Sequence, residues 1–339
     1  VKKKRFYVVV VFVLALCMLI PLTLFAEGGK EKGERPFVVG HSMVGRWALV
    51  FVAGEYYLER GFSEKGIQMI TAVAESDTVK QAQDIEDFIA RGVDALLVLP
   101  IDQKSVVASI RRAKEANIPI VLYNRPSDPE ADVKPDAFSG QDSFIQAYDA
   151  AVALEKILRE DGVKPEDVRI LHILGHLRDQ NAVNRKNGFE KAAKEFGWEI
   201  VAEVPSEWNP DKTLPQTTNA LVAHPEINTI FLASDFLIEP VVAAMNAHDR
   251  WHPRGHPRHI YMASQDVNPN CIDRIRDGYI DVDTLWDVKG WCYQATDFVQ
   301  MILEGNPPED PFKLMRGVTC TTENIDELGP EKVWGMEFM

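Results

Sequence analysis

Phe37-Val38-Val39-Gly40-His41-Ser42-Met43, Ile67-Gln68-Met69-Ile70-Thr71-Ala72-Val73 and Ala95-Leu96-Leu97-Val98-Leu99 are three short, mostly apolar runs without acidic or basic side chains other than His41. Runs of this length and composition read as strands buried on both faces. Between them lie amphipathic stretches: one helix is expected up to about residue 60 and another over 78–91. A third helix puts Val106, Val107, Ile110 and Ala113 on one face, and residues 118–122 follow as a further strand. Strand starts recur about every 25–30 residues, the length of one βαβ unit. The predicted result is a parallel sheet covered by helices on both sides.

Beyond Ser127 the rhythm breaks. Residues 128–136 are rich in Pro, Asp and Glu and read as a surface loop. A second alternating series then begins, with strands expected over 169–174, 199–204, 229–232, 260–263 and 280–285 and a last long helix over 289–304. Residues 317–323 read as one more extended crossing, so the chain is expected to pass between two lobes more than once. The predicted fold class is α/β, with two doubly wound parallel-sheet lobes joined by a multi-strand hinge. The expected division gives residues 36–140 plus 286–316 to an N-terminal lobe and 141–285 plus 317–339 to a C-terminal lobe. Such a hinge lets the lobes close as rigid bodies.

At the other end, Lys2, Lys3, Lys4 and Arg5 precede an uncharged run over 6–25, closed by Ala26 before Glu27. This pattern is that of a secretory signal, with cleavage expected near Ala26. The run is long enough to span a bilayer, so an uncleaved anchor is the alternative reading; Pro21 and the small Ala26 favour cleavage. Lipid attachment at Cys17 is disfavoured by the bulky Leu16 before it. With 37 basic against 51 acidic residues the formal charge is −14, and removal of the four leading cations deepens it. Nucleic acid is a poor partner for that field. A chain of 339 residues exceeds what one core usually holds, and no later apolar stretch could cross a membrane. Beyond the leader, Cys271, Cys292 and Cys320 are odd in number and form no Cys-x-x-Cys pair, so at least one is expected as a buried free thiol.

Residues 40–47, Tyr123-Asn124-Arg125, Arg185-Lys186-Asn187-Gly188-Phe189 and Ser264-Gln265-Asp266 carry a likeness that extends over nearly the whole chain after the leader. In them the protein resembles the type I periplasmic binding proteins for ribose, galactose, xylose and rhamnose-like ligands, including the autoinducer-2 binders. Leu285-Trp286-Asp287-Val288 is most similar to the rhamnose and autoinducer-2 branch. The resemblance implies a monomer in the periplasm that captures a monosaccharide or similar polyol between its lobes. It further implies delivery to an ABC permease in the inner membrane, with no catalysis and no cofactor.

In open α/β sheets, ligands bind beyond the carboxyl ends of the strands. A sugar presents hydroxyls that donate and accept over mildly apolar C–H faces, which calls for Arg, Asp and Asn together with aromatic rings. His41, Arg46 and Trp47 follow the first strand, with helix-face core as the alternative for Trp47. Asn124 and Arg125 stand where the family usually has Asp-Arg, and the guanidinium is suited to two ring hydroxyls at once. Arg185 matches the family's ligand-binding arginine, against a solvated helix face. Trp208 matches an aromatic that caps the sugar. Ser234 and Asp235 follow a strand where relatives have Asn-Asp. Asp266 matches the family's acidic ligand residue, with a helix N-cap as its alternative. Trp286 falls where ribose binders carry a hinge glutamine, Asp287 follows it as in the autoinducer-2 branch, and Asp142 is read either as a ligand contact or as a helix cap.

Other patterns point away from chemistry. His248, His252, His256 and His259 have helical spacing, but Pro253, Gly255 and Pro257 forbid the helix that would align them on a metal. His172 and His176 read as a core or loop pair. There is no Gly-x-Gly-x-x-Gly, phosphate loop or Gly-x-Ser-x-Gly, so neither an enzyme nor a metal site is expected. Two other roles suit the same lobes: a sugar sensor docking on a chemoreceptor or histidine kinase, and a transcription regulator. The export signal and the lack of an N-terminal helix-turn-helix argue against the regulator.

Overall fold

The computed structural model describes residues 35–329 and 332–338. The expected signal over 1–26 lies outside them. Among the described residues no helix is long and apolar enough to cross a membrane.

Two six-stranded sheets organise the chain. The first contains β1 (Val38–Met43), β2 (Gln68–Val73), β3 (Ala95–Val98), β4 (Ile120–Tyr123), β5 (Ala137–Gln141) and the late β11 (Phe312–Met315), in the order β11-β5-β4-β3-β1-β2. Every neighbouring pair in it is parallel. The second holds β6 (Arg169–Leu174), β7 (Glu199–Pro205), β8 (Thr229–Leu232), β9 (Tyr261–Asp266), β10 (Val282–Leu285) and β12 (Thr319–Cys320), in the order β12-β10-β9-β8-β6-β7. Only β12 runs antiparallel there. The doubly wound two-lobed α/β fold expected from the alternating runs is what the chain forms.

Helices α1 (Leu49–Glu64), α2 (Thr78–Arg91) and α3 (Val106–Glu115) follow β1, β2 and β3. Asp77 starts α2 by accepting from the amides of Val79 and Lys80, and Gly92 ends it in the left-handed conformation. The second sheet is covered by α4 (Ser143–Glu160), α5 (Gln180–Phe196), α6 (Pro210–Ala223), α7 (Ile238–Ala247) and the short α8 (Ile272–Arg276). Helix α9 (Val288–Leu303) returns to pack on α1 and on β3–β5 of the first sheet. Helices α4 and α5 approach closely at Gly188, where an added Cβ would stand 2.2 Å from the Phe144 carbonyl oxygen. The short strands β3, β4, β8 and β10 are buried along their whole length, as expected of sheet centres covered on both faces.

The chain passes between the sheets three times, after β5, β10 and β11. These crossings are bonded side by side. The Gln141 amide donates to the Leu285 carbonyl (2.9 Å) and accepts from the Asp287 amide (2.8 Å). The Asp142 amide donates to the Met315 carbonyl (3.0 Å), and that of Leu285 to the Val318 carbonyl (2.8 Å). Residues 317–323 thus include the crossing expected from sequence. The thiols of Cys271, Cys292 and Cys320 are free and buried.

Candidate functional site

The carboxyl ends of both sheets face one another across a cleft lined by residues of both lobes. Its floor on the second-sheet side is an ion pair. The Arg185 guanidinium, on the second turn of α5, donates to Asp266 at the end of β9 from both terminal nitrogens (2.5 and 3.4 Å). It also donates to the Ala233 carbonyl at 2.6 Å and stacks 4.9 Å from the centre of the Trp286 ring. Arg185 and Asp266 are only 1% and 4% exposed, so each depends on the other's charge. Ser234, past β8, donates its hydroxyl to the second Asp266 oxygen at 2.5 Å.

The opposite wall belongs to the first sheet. Arg125, past β4, reaches across the cleft to Asp179 at 2.9 Å. Asp179 caps α5 by accepting from the Asn181 amide and also accepts from the Trp208 indole at 3.1 Å. Next to this bridge the Asn181 amide group donates to both the backbone and side-chain oxygens of Asn124, each at 3.0 Å. Asn124 has φ +62°, a conformation Asn tolerates better than most residues; there the amide side chain serves as a bridge between lobes. Trp47 stands over the mouth, with its ring 5.5 Å from Phe236 and 4.8 Å from Phe51 and its indole donating to Ser76.

Of the residues singled out from sequence, Trp47, Arg125, Arg185, Trp208, Ser234, Asp266 and Trp286 line this cavity. Asn124 bridges the lobes beside it through Asn181 without lining it, and the others lie elsewhere. His41 is in the core, its ring nitrogens bonded to Thr71 and the Tyr123 hydroxyl; burial pushes its pKa down to about 4. Arg46 turns outward into a two-pronged pair with Glu55 (2.6 and 2.7 Å), its side chain 52% exposed. Asp142 and Asp287 cap α4 and α9 through the amides of Ile145 and Gly290. Asp235 accepts from the backbone and side chain of Asn268, behind the Asp266 carboxylate. Sequence reading missed Phe51, Asp179, Asn181, Phe236 and Asn268. The Asp179-Gln180-Asn181 start of α5 carries a capping signal, which marks the turn without showing that it faces the other lobe.

Behind Asp266 the negative charge is crowded. Asp235 is pushed up to about 7 by burial and by the Asp266 charge. Asp283 is likewise pushed well up by burial and by the charges of Asp235 and Asp266. A carboxyl that keeps its proton to about pH 7 when folded, but releases it near 3.8 when unfolded, stabilises the fold below about pH 4 and loses that contribution as pH rises through 7. Asp235→Asn removes the buried charge. The variant-minus-wild-type difference in Tm is therefore expected to become more positive from about pH 4 to about pH 8; a flat difference in thermal melts would contradict this.

Away from the cleft, His172, Glu190 and Glu203 bring potential metal-ligating atoms within 4.8 Å of one another. The Lys186 ammonium already bridges both carboxylates and serves as the cation there. The His252 and His256 rings stack on each other at 3.8 Å, and His259 bonds Asp281 instead.

Comparison with known proteins agrees with this architecture. The chain is 25% identical over 294 residues to the ribose import binding protein of Bacillus subtilis, covering 87% of this chain and 90% of that one. It is 24% identical to the Escherichia coli ribose import binding protein over 170 residues, half of this chain and 54% of that protein. A solved ABC transporter solute binding protein from Bacillus halodurans, with bound myo-inositol, superposes with a TM-score of 0.76 at 21% identity, covering 87% of this chain and 98% of the other. The family model for the periplasmic binding protein domain matches residues 51–307. With two such sheets, a three-crossing hinge and a cleft at the strand ends, the chain belongs to the periplasmic binding protein domain family.

Proposed function

We propose that this protein is an exported solute receptor that captures a neutral monosaccharide or related polyol in the cleft and presents it to an ABC permease. One observation carries the ligand class: both cleft arginines are already matched by carboxylates, Arg185 by Asp266 and Arg125 by Asp179. The site therefore offers directional donors and acceptors without surplus charge, between the rings of Trp47, Trp208 and Trp286. Hydroxyls can join such pairs, because a carboxylate has spare lone pairs and a guanidinium spare N–H groups. The Trp286 indole N–H is buried without a partner among the described residues and is a donor for one more hydroxyl. The ribose import binding protein of Bacillus subtilis, similar over most of both chains, supports the same class. The bodies that close would be residues 36–140 plus 286–316 and 141–285 plus 317–339, working as one monomer after removal of the leader.

A thermal-shift screen of D-ribose, D-allose, myo-inositol, 6-deoxyhexoses and autoinducer-2 tests this, with sugar phosphates, uronates and amino acids as charged competitors. At least one neutral compound is expected to raise Tm at millimolar concentration. Silence across the neutral set, or a stronger response to a charged compound, overturns the ligand class. For a responding sugar, Trp208→Ala is expected to weaken binding about 10- to 100-fold, the loss of one ring face worth roughly 1–3 kcal/mol, as read by calorimetric titration.

A further inference from the structure

Past β12 the chain leaves the second sheet through a short turn over Ile325–Glu327, yet its last described residues lie against the first. Trp334 is 1% exposed, and its indole donates to the Asp266 backbone carbonyl at 2.9 Å. Beside it, the Gly335 amide donates to the Tyr57 hydroxyl on α1 at 3.0 Å, and that hydroxyl donates to Glu337 at 2.7 Å. The Phe338 ring meets Tyr56 edge-on at 5.3 Å. Gly335, at φ +77°, sits between Leu49 of α1 and Pro269 of the β9–α8 connection, and a Cβ there would touch both at 3.5–3.6 Å. The segment thus grips an element of each lobe next to the cleft, in addition to the three hinge crossings.

The point it grips on the second lobe is the ligand loop itself. Asp266 has φ +104° and Val267 φ +52°, conformations that cost energy for side-chain-bearing residues and persist only when their surroundings hold them. The Asp266 carbonyl accepts from the Trp286 amide at 3.2 Å as well as from Trp334. These two donors fix the turn that aims the Asp266 carboxylate at Arg185. On the first lobe, α1 supplies Leu49, Val50 and Phe51 to the cavity wall.

We propose that residues 332–338 are a latch: Trp334 is a positioning residue for Asp266, and the Tyr57 contacts clamp α1 against it, so that the tail favours the closed arrangement of the lobes. The proposal rests on the reading of the cleft as the ligand site. Because the tail sits on the closed contacts, its loss acts on opening and release more than on encounter.

The test attaches paired nitroxide labels at exposed positions of the two lobes, Gln83→Cys and Asn219→Cys, with the buried native thiols left in place. Lobe-to-lobe distances are then measured by pulsed electron resonance without ligand. Two variants are compared with wild type: a chain ended at Gly329, and Tyr57→Phe. The closed-to-open ratio is expected to fall roughly fivefold or more in Tyr57→Phe, as for loss of a hydroxyl serving two hydrogen bonds, and further in the shortened chain. With D-ribose as the probe, stopped-flow dissociation is expected to accelerate by a similar factor while association stays unchanged. Wild-type distance distributions in Tyr57→Phe, with an unaltered thermal transition, overturn the latch; if the shortened chain does not fold, Tyr57→Phe decides alone. If wild type does not bind D-ribose, that ligand assignment fails while the ligand-free distances still decide the latch.

Discussion

Arg185→Met is expected to abolish ligand capture and to lower folding stability by about 3–5 kcal/mol, the usual cost of removing one partner of a buried ion pair. The effect is large because, among the described residues, Arg185 is the only cation paired with Asp266, while Asp235 and Asp283 press on the same carboxylate from behind. Met fills much of the same volume and can still lie on Trp286, so the loss is electrostatic more than a matter of packing. The Ala233 carbonyl and the Gln146 side chain lose a donor as well. Chemical denaturation of the ligand-free protein gives the stability and calorimetry gives the binding. A variant with near-wild-type stability would mean that the Asp266 charge is balanced by something other than Arg185.

Gly188→Ala should also be severe, through backbone geometry alone. The new methyl carbon would stand 2.2 Å from the Phe144 carbonyl oxygen and 3.0 Å from its carbon. Both are backbone atoms at the start of α4, with no side-chain rotamer to swing away. Helix α5 would gain about 1 kcal/mol in intrinsic propensity, but overpacking of this kind costs about 1–3 kcal/mol and occasionally more. The helices must therefore part. Since α5 carries Asp179, Asn181 and Arg185 into the cleft, the shift misplaces three polar groups together. Lower Tm and weaker ligand binding are expected jointly; a variant that melts lower but binds normally would show that α5 tilts about its cleft-facing end.

The alternation of β-branched runs and amphipathic stretches made nine of the twelve strands among the described residues readable, with β12 inside the crossing expected over 317–323, because buried parallel strands have a composition that little else shares. The two that escaped are β5, Ala-Phe-Ser-Gly-Gln, and β11, Phe-Lys-Leu-Met. β5 puts polar side chains where the chain turns toward the hinge, and β11 is an edge strand with three of its four residues exposed. Apart from Arg185, which sits on helix α5 and was marked by the family likeness, the cleft residues that were legible stand at or just past strand ends, where position alone gives direction. His41 and Arg46 occupy equally suggestive positions, yet a neighbour decided each: Tyr123 draws His41 inward and Glu55 draws Arg46 outward. Phe51, Phe236 and Asp179 face the cavity only because two lobes meet, and the Trp334 tail has no periodicity that would reveal its partner on α1. Such cross-lobe contacts depend on tertiary placement that local pattern does not encode.

The interleaving of the two sheets bears on how the protein matures. The first sheet is completed by β11, at residues 312–315, and covered by α9 at 288–303, so it cannot be finished until most of the chain has left the ribosome. Until then β5 presents a bare hydrogen-bonding rim, the kind of template that recruits stray strands. The first sheet therefore reaches its full six strands only once the last fifth of the polypeptide has emerged.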